Sequence, residues 1–300
     1  MNKQPIRNVE LLTTDDGHCI RFDAMASPCE VIVASKDYQL AQTLGKLIAD
    51  EVWRIEDKYS RYKASSVCSA INKSDGQALA IDHETFLLLN FADTCYQLSD
   101  GVFDITSGAL RHVWQFDGSD HIPCDAAVQQ TLVNIGWHKI SFNEQQIVMP
   151  KHMELDFGGI GKEYAVDRAL LIANEFTELP VLVNLGGDLA ANKPREPNLP
   201  WQVGIEHPGF VDRKPMVVSL LKGALATSGD AKRFLLKDNV RYSHILNAKT
   251  GWPVLQAPRS ITVVAPQCIQ AGILATLALM KGEHAERFLA EQEIKFWAIR

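Results

Sequence analysis

A glycine-rich segment followed by a lysine has residue types suited to binding an anion. The segment is ELDFGGIGKEYAVDRA, residues 154–169. Residues 155–157 are predicted to end a strand, and a helix is predicted from Lys162 onward. The glycines at 158, 159 and 161 let a ligand approach the backbone, and the helix N-terminus offers free N–H groups. The spacing differs from a Walker A loop, and tight packing is the alternative explanation for such glycines.

Three later segments repeat this chemistry. NLGGD (184–188) places two glycines beside an acid, and ATSGD (226–230) offers two hydroxyls and a carboxylate. YSHILNAKTGWP (242–253) places His244 in a predicted strand before a turn, which makes it a candidate general base, although a lone histidine is more often structural. Together, glycines, carboxylates and hydroxyls point to a polyphosphate and a hard cation.

Alternating strands and helices position these segments. The apolar pattern predicts a strand at 29–34, a helix capped by Ser35 that extends to Tyr59, and a helix from Asp82 that ends before Gly101. Buried strands are predicted at 181–185, 216–221 and 261–265, helices at 162–175, 267–280 and 283–292, and a last strand at 296–299. The order is irregular and has no repeat. We therefore predict one compact α+β domain over residues 23–300, preceded by an N-terminal extension, residues 1–22.

The composition excludes several classes of protein. With 46% hydrophobic and 22% charged residues among 300, the chain can bury a core. A net charge of −6 argues against a nucleic-acid partner, and the longest apolar run, 271–280, is too short for a membrane segment. Residues 1–10 do not read as a signal peptide, although a trimmed leader is left open. The six scattered cysteines are interpreted as reduced thiols of a cytoplasmic protein.

The order of the glycine-rich segments resembles that of the ApbE-like flavin transferases. DFGGIGKEYAVD is followed by VNLGGDLA, ATSGD, SHILNAKTG and ITVVAP…ATLALMKG. The upstream segments MASP (25–28), YSRY (59–62), GVFDIT (101–106) and PWQVGIEHP (200–208) fit as well, so the resemblance covers about residues 23–298. It implies a single α+β domain related to the T-fold. It also implies transfer of FMN from FAD to a threonine of an acceptor flavoprotein, with release of AMP and with Mg²⁺.

The resemblance also implies roles for individual residues. The positions that contact FAD are Met25, Tyr62, Val102, Phe103, Asp104, Asp156, Lys162 and Ile245. His244 is expected to deprotonate the acceptor threonine. Magnesium is expected at the backbone carbonyl of Gly159 and at Thr276, together with an aspartate four residues before that threonine.

The aspartate expected four residues before Thr276 is absent, because position 272 is glycine. Lesser departures are Ala26-Ser27 for Gly-Thr, Glu163 for the usual glycine after the lysine, and Ala248 for a proline. Two alternatives to the transferase stay open: an FAD pyrophosphatase that yields FMN and AMP, and a degenerate FAD-binding protein.

The missing aspartate leads to an expectation about the metal. We expect Mg²⁺ binding to depend on bound FAD and expect Gly272→Asp to tighten it. Close packing, or a carboxylate from elsewhere such as Asp188 or Asp230, is the alternative explanation.

Overall fold

The computed structural model of the chain describes residues 7–206, 215–230 and 233–300. The last two residues of the PWQVGIEHP segment, His207 and Pro208, therefore lie outside the described residues. Packing divides the chain into two compact units. The first unit comprises Met1–Glu56, Gly161–Thr227 and Thr262–Gly272, and the second comprises Asp57–Ile160, Ser228–Ile261 and Ile273–Arg300.

The strands are mostly short and rich in β-branched and apolar residues, as β propensity favours. They are β1 (Glu10–Thr14), β2 (Gly17–Ala24), β3 (Ser27–Val33), β4 (Leu79–Ala80), β5 (Ser141–Phe142), β6 (Gln146–Val148), β7 (Val181–Leu185), β8 (Asp188–Ala191), β9 (Trp201–Ile205), β10 (Met216–Leu220), β11 (Gly223–Gly229), β12 (Phe234–Lys237), β13 (Val240–Ser243), β14 (Ser260–Ala265) and β15 (Lys295–Ile299).

Some of the helices begin at a side chain that caps the first turn. The helices are α1 (Tyr38–Tyr59), α2 (Val67–Asn72), α3 (His83–Leu98), α4 (Asp125–Leu132), α5 (Gly161–Phe176), α6 (Cys268–Met280) and α7 (Ala285–Glu291). Asp82 caps α3 by accepting from the Thr85 amide at 3.0 Å, and Gly101 follows that helix with a positive φ of 74°, as predicted. The cap of α1 was predicted wrongly, because Asp37 rather than Ser35 accepts from the Leu40 amide, at 3.0 Å.

The first unit is built on an antiparallel sheet. Its strands lie in the order β1-β2-β3-β7-β8-β11-β14. The register pairs Cys29 with Leu185 and Val33 with Val181, so the turn before β3 and the turn after β7 lie at the same end of the sheet. Helix α5 packs on β7 and β8. The predicted N-terminal extension, residues 1–22, includes β1 and most of β2, which pair in this sheet.

One hydrophobic cluster of the second unit contains Leu110 and Trp114. Leu235 and Ala248, from β12 and from the turn after β13, are buried in the same cluster. The Trp114 indole donates a hydrogen bond to the Gly251 carbonyl at 2.8 Å, which fixes that turn against the cluster. Two small antiparallel sheets, β12-β13 and β4-β6-β5, complete this unit.

The predicted α+β class is confirmed by this mixture of helices and mainly antiparallel strands. The strand predicted to end at residues 155–157 is wrong. Asp156 instead caps a single 3₁₀ turn, Phe157–Gly159, by accepting from the Gly158 amide at 2.9 Å.

Within the described ranges, no helix has both the length and the apolar character needed to span a bilayer.

Candidate active site

An ion pair at the start of α5 carries the positive charge that the sequence predicted there. Lys162 lies in the first turn of α5, and its Nζ is 2.6 Å from Oδ2 of Asp188 at the start of β8. Burial lowers the pKa of Lys162, but the charge of Asp188 and the hydrogen bond to it outweigh burial, so the pKa is raised overall. Lys162 is therefore a permanent cation beside the N-terminal end of a helix.

Asp188 is held in place by two partners. It is only 3% exposed, and its Oδ1 accepts a hydrogen bond from the Thr227 amide at 3.1 Å. Burial raises the pKa of Asp188, while Lys162 opposes that effect. Because both oxygens of Asp188 have donors, its role is to position the lysine.

Two hairpin turns lie at the end of the sheet that faces Lys162. Met25 and Ala26 join β2 to β3 with φ values of 51° and 57°, and Gly186 and Gly187 join β7 to β8 with φ values of 63° and 101°. Two positive φ angles in a two-residue hairpin loop match a type I′ turn. A Cβ atom on Gly186 would lie 2.5 Å from Cβ of Ser27 and 3.9 Å from Nζ of Lys162. The first unit thus brings Met25 and Lys162, two predicted FAD-binding residues, to one end of its sheet.

The two non-glycine residues of the first turn are held in the left-handed region. The Met25 amide donates to Glu56 Oε1 at 2.8 Å, which anchors the tip of the hairpin to α1. Residues in this region are uncommon unless the surrounding structure fixes them, and they occur often at binding sites. Met25 is half-buried, so part of its side chain is open to a ligand.

In the second unit, Arg61 connects two further predicted residues. Its guanidinium forms an ion pair with Asp156, lies 4.8 Å from the centroid of the Tyr62 ring, and donates to the Tyr62 hydroxyl at 2.7 Å. The Tyr62 side chain is 82% exposed. A large aromatic ring held at the surface by an arginine offers a face on which a planar ring can stack. Sequence reasoning missed Arg61, although it lies within the YSRY segment.

The segment 102–104 packs against the 3₁₀ turn and the turn after β13. A Cβ atom on Gly159 would lie 3.3 Å from the buried Phe103 ring, so the glycine there allows close packing. The Val102 carbonyl accepts from the Ala248 amide at 3.2 Å. Ile245 uses its amide to bond Ser243 Oγ at 3.1 Å and its carbonyl to bond the Val254 amide at 3.0 Å.

Asp104 is a buried cap. Its Oδ1 accepts from the amide and the hydroxyl of Thr106, each at 2.7 Å, and its Oδ2 accepts from the Trp137 amide at 2.8 Å. Both carboxylate oxygens are therefore engaged by protein donors.

His244 lies directly after β13, one residue beyond the strand in which it was predicted. Its Nδ1 is 3.2 Å from the backbone carbonyl oxygen of Arg233. A carbonyl can only accept, so Nδ1 carries the proton and the lone pair is on Nε2. Burial lowers the pKa of His244, and the positive charge of Arg233 acts in the same direction, while Asp230 opposes it. The histidine is therefore neutral at pH 7, as a general base has to be.

The predicted metal residue Thr276 lies on α6. Its hydroxyl is 3.1 Å from Ser228 Oγ, so the ATSGD segment places a second hydroxyl beside Thr276. Asp230, at the end of that segment, is paired with Arg241 at 2.8 Å and is therefore not a free carboxylate. In the part of the chain that the structure describes, no three His, Cys, Asp or Glu side chains are grouped to hold a metal ion.

The space that a side chain at position 272 would fill is taken by the carboxylate of Glu163. A Cβ atom on Gly272 would lie 2.6 Å from Cγ and 2.8 Å from Oε1 of Glu163, and Glu163 Oε2 is a buried oxygen without a hydrogen-bond partner. The unpaired Oε2 of Glu163 is a carboxylate oxygen, the type of ligand that Mg²⁺ prefers. The expected effect of Gly272→Asp changes accordingly, because a new side chain there displaces Glu163 rather than entering empty space.

Comparison with known protein families places the chain among characterised relatives. The ApbE family matches residues 25–298 of the chain. This protein belongs to the ApbE family. The match spans every predicted site residue, and the predicted family is therefore confirmed.

Individual relatives extend over most of the chain. The FAD:protein FMN transferase of Vibrio cholerae is 28% identical over 248 residues, which cover 79% of this chain and 73% of that protein. The FAD:protein FMN transferase of Treponema pallidum is 28% identical over 243 residues, which cover 74% of this chain and 67% of that protein.

Solved structures of ApbE proteins have a similar fold. The crystal structure of the ApbE protein from Thermotoga maritima superposes with a TM-score of 0.83 at 28% identity, and the match covers 97% of this chain and 94% of that one. The apo flavinyl transferase ApbE of Pseudomonas stutzeri gives a TM-score of 0.82 at 22% identity, with 98% and 92% covered, and supports the fold alone.

Proposed function

We propose that this protein transfers FMN from FAD to a threonine hydroxyl of an acceptor flavoprotein and releases AMP. The observation that carries this proposal is the Lys162–Asp188 pair beside the hairpin turn at Gly186. A buried acid that fixes a lysine at a helix N-terminus is suited to binding a pyrophosphate, and the FAD:protein FMN transferases among the relatives act on that group. The match to the ApbE family supports the same activity.

The predicted residues then divide into contact and positioning roles. Lys162 binds the pyrophosphate as a point charge, and the exposed Tyr62 ring stacks on the flavin. Met25, Val102, Phe103 and Ile245 supply apolar and backbone contacts to FAD. We assign Asp104 and Asp156 mainly to positioning, because the first is a buried cap and the second holds Arg61 and a 3₁₀ turn.

The reaction is a displacement at phosphorus. The acceptor threonine oxygen forms a bond to the phosphorus of the FMN half, the P–O bond to the AMP half breaks, and AMP leaves with the bridging oxygen. Nε2 of His244 takes the proton of the threonine hydroxyl, since the proton on Nδ1 is fixed by the Arg233 carbonyl. Such transfers depend mainly on positioning and on neutralising charge, which Lys162 contributes.

The proposed divalent cation is magnesium, which neutralises pyrophosphate charge when it is bound. The Gly159 carbonyl and the Thr276 hydroxyl would hold it, together with one carboxylate. We also propose a cytoplasmic location, which the free state of all six cysteines supports.

The test is co-expression with a flavoprotein that carries FMN on a threonine. Flavin fluorescence on the acceptor band of a denaturing gel is the expected result, and it should disappear when the acceptor threonine is replaced by valine. Free FMN and AMP without labelled acceptor would favour an FAD pyrophosphatase instead. Unchanged FAD would favour a degenerate binding protein.

A further inference from the structure

The carboxylate of Glu163, in the first turn of α5, has an oxygen that is buried and unpaired. Oε2 has no hydrogen-bond partner within the described structure. Removing an ionised carboxylate from water without a partner is costly, so such a group either stays protonated or binds a cation. Burial and the nearby charge of Asp188 raise the pKa of Glu163 to about 8.

The neighbouring acids of the first unit already have partners. Asp188 is paired with Lys162 and with the Thr227 amide. Asp167 accepts from the amides of Cys268 and Ile269, at 2.7 and 2.9 Å. Lys162 itself is engaged by Asp188, so Glu163 is the member of this group whose oxygen is available to a cation.

The packing of α5 against the start of α6 explains why Glu163 meets position 272. Asp167 accepts from the amides of residues 268 and 269, so this part of α5 contacts the first turn of α6. One turn back along α5 from Asp167 is residue 163, and one turn on along α6 from residue 268 is residue 272. The two positions therefore face each other, and a Cβ atom on Gly272 would lie 2.6 Å from Cγ of Glu163.

The glutamate at 163 and the glycine at 272, two departures from the family pattern, are thus coupled through this contact. The acid is missing at 272 and present at 163, and the glycine is missing at 163 and present at 272. Gly272 leaves free the space that the Glu163 side chain fills. In the family pattern, a glycine at 163 would in the same way leave space for an acid at 272. A carboxylate remains at this point of the molecule but is attached to the other helix.

We propose that Glu163 is the carboxylate ligand of the divalent cation, in place of a side chain at position 272. Magnesium prefers carboxylate oxygen, and the unpaired Oε2 supplies it. The inference rests on the proposed function, since it concerns the cation of that reaction.

The test is calorimetric titration of Mg²⁺ into FAD-saturated protein without acceptor, so that no turnover is needed. We expect Glu163→Gln to weaken Mg²⁺ binding at least tenfold and to raise the thermal unfolding temperature of the metal-free protein, because it removes an unpaired acid. Glu175→Gln, the same change at an exposed position of α5, is the matched control and should change neither quantity.

The exchange of the two residues is tested by the double variant Glu163→Gly/Gly272→Asp. We expect it to bind Mg²⁺ within about threefold of the wild type, whereas Glu163→Gly alone should bind as weakly as Glu163→Gln. Wild-type Mg²⁺ affinity in Glu163→Gln would overturn the proposal, as would a folded double variant that fails to regain binding. If Glu163→Gln weakens Mg²⁺ binding but the wild type transfers no flavin, only the proposed function is overturned. If the wild type transfers flavin and Glu163→Gln binds Mg²⁺ as tightly as the wild type, only the role of Glu163 is overturned.

Discussion

Nζ of Lys162 and Oδ2 of Asp188 are 2.6 Å apart, although their elements are separated by most of α5 and all of β7. The acid is almost completely buried and the lysine is only partly so. The pair therefore fixes the direction of the lysine side chain while one side of the ammonium stays open to a ligand.

Lys162→Met should weaken FAD binding by about 1.5–3 kcal/mol, the range for a hydrogen bond to a charged group. The single variant also leaves Asp188 buried without its partner, which should cost stability. Lys162→Met/Asp188→Asn removes that penalty and should show the same loss of FAD affinity with a smaller loss of stability. Fluorescence titration of FAD and thermal unfolding measure the two effects. Unchanged FAD affinity in both variants would remove Lys162 from the site.

His244→Ala should keep FAD affinity and lose flavin transfer by about 10²–10⁴-fold, the usual contribution of a positioned base. In the proposed reaction, the lone pair on Nε2 of His244 accepts the threonine proton, because Nδ1 is engaged by the Arg233 carbonyl. Single-turnover transfer rates at saturating FAD measure this effect. His244→Gln, which keeps a polar side chain without a base, is the control and should be equally slow. Wild-type rates in either variant would make the histidine structural.

The pH dependence of transfer should report the same residue. The pKa of His244 is lowered from 6.5, first by burial and then by the charge of Arg233. A base works in its neutral form, so kcat/KM for the acceptor should stay level from pH 7 down to about that lowered pKa. Below it, kcat/KM should fall about tenfold per pH unit. An inflection above pH 6.5 would contradict this environment for the histidine.

Ala26→Gly should stabilise the protein by up to about 1 kcal/mol, because Ala26 has a φ of 57° and glycine adopts that region without steric cost. Ala26→Val should destabilise it, since β-branched residues are strongly disfavoured there. Denaturant midpoints of the two variants measure these changes. A stabilising valine would show that the turn is not held in this conformation in solution.

The sequence predicted the class of fold and several of its strands and helices. Strand β7, the capped helix α3 and the start of α5 at the glycine before Lys162 follow directly from apolar spacing and turn residues. The segment before the 3₁₀ turn was predicted wrongly as a strand, because its alternating apolar residues, Leu155 and Phe157, are buried without strand pairing. Local pattern does not reveal which segments pair.

The contacts between distant segments could not be predicted in the same way. Glu163 and Gly272 are more than one hundred residues apart, and each was read as a separate departure. Their relationship depends on the contact of α5 with the first turn of α6 through Asp167, which no local spacing contains. The role of Asp188 was also hidden, because its burial and its partner follow from the sheet.

The proposed flavin transfer is tested by the stoichiometry of the reaction with purified components. The protein is incubated with FAD, Mg²⁺ and a flavin-free acceptor that normally carries FMN on a threonine. Intact-mass spectrometry of the acceptor and quantification of AMP are then carried out on the same sample. We expect a mass gain of FMN minus water on the acceptor and one AMP per flavin attached, with no reaction when that threonine is valine. AMP released with free FMN and an unmodified acceptor would contradict the proposed transfer.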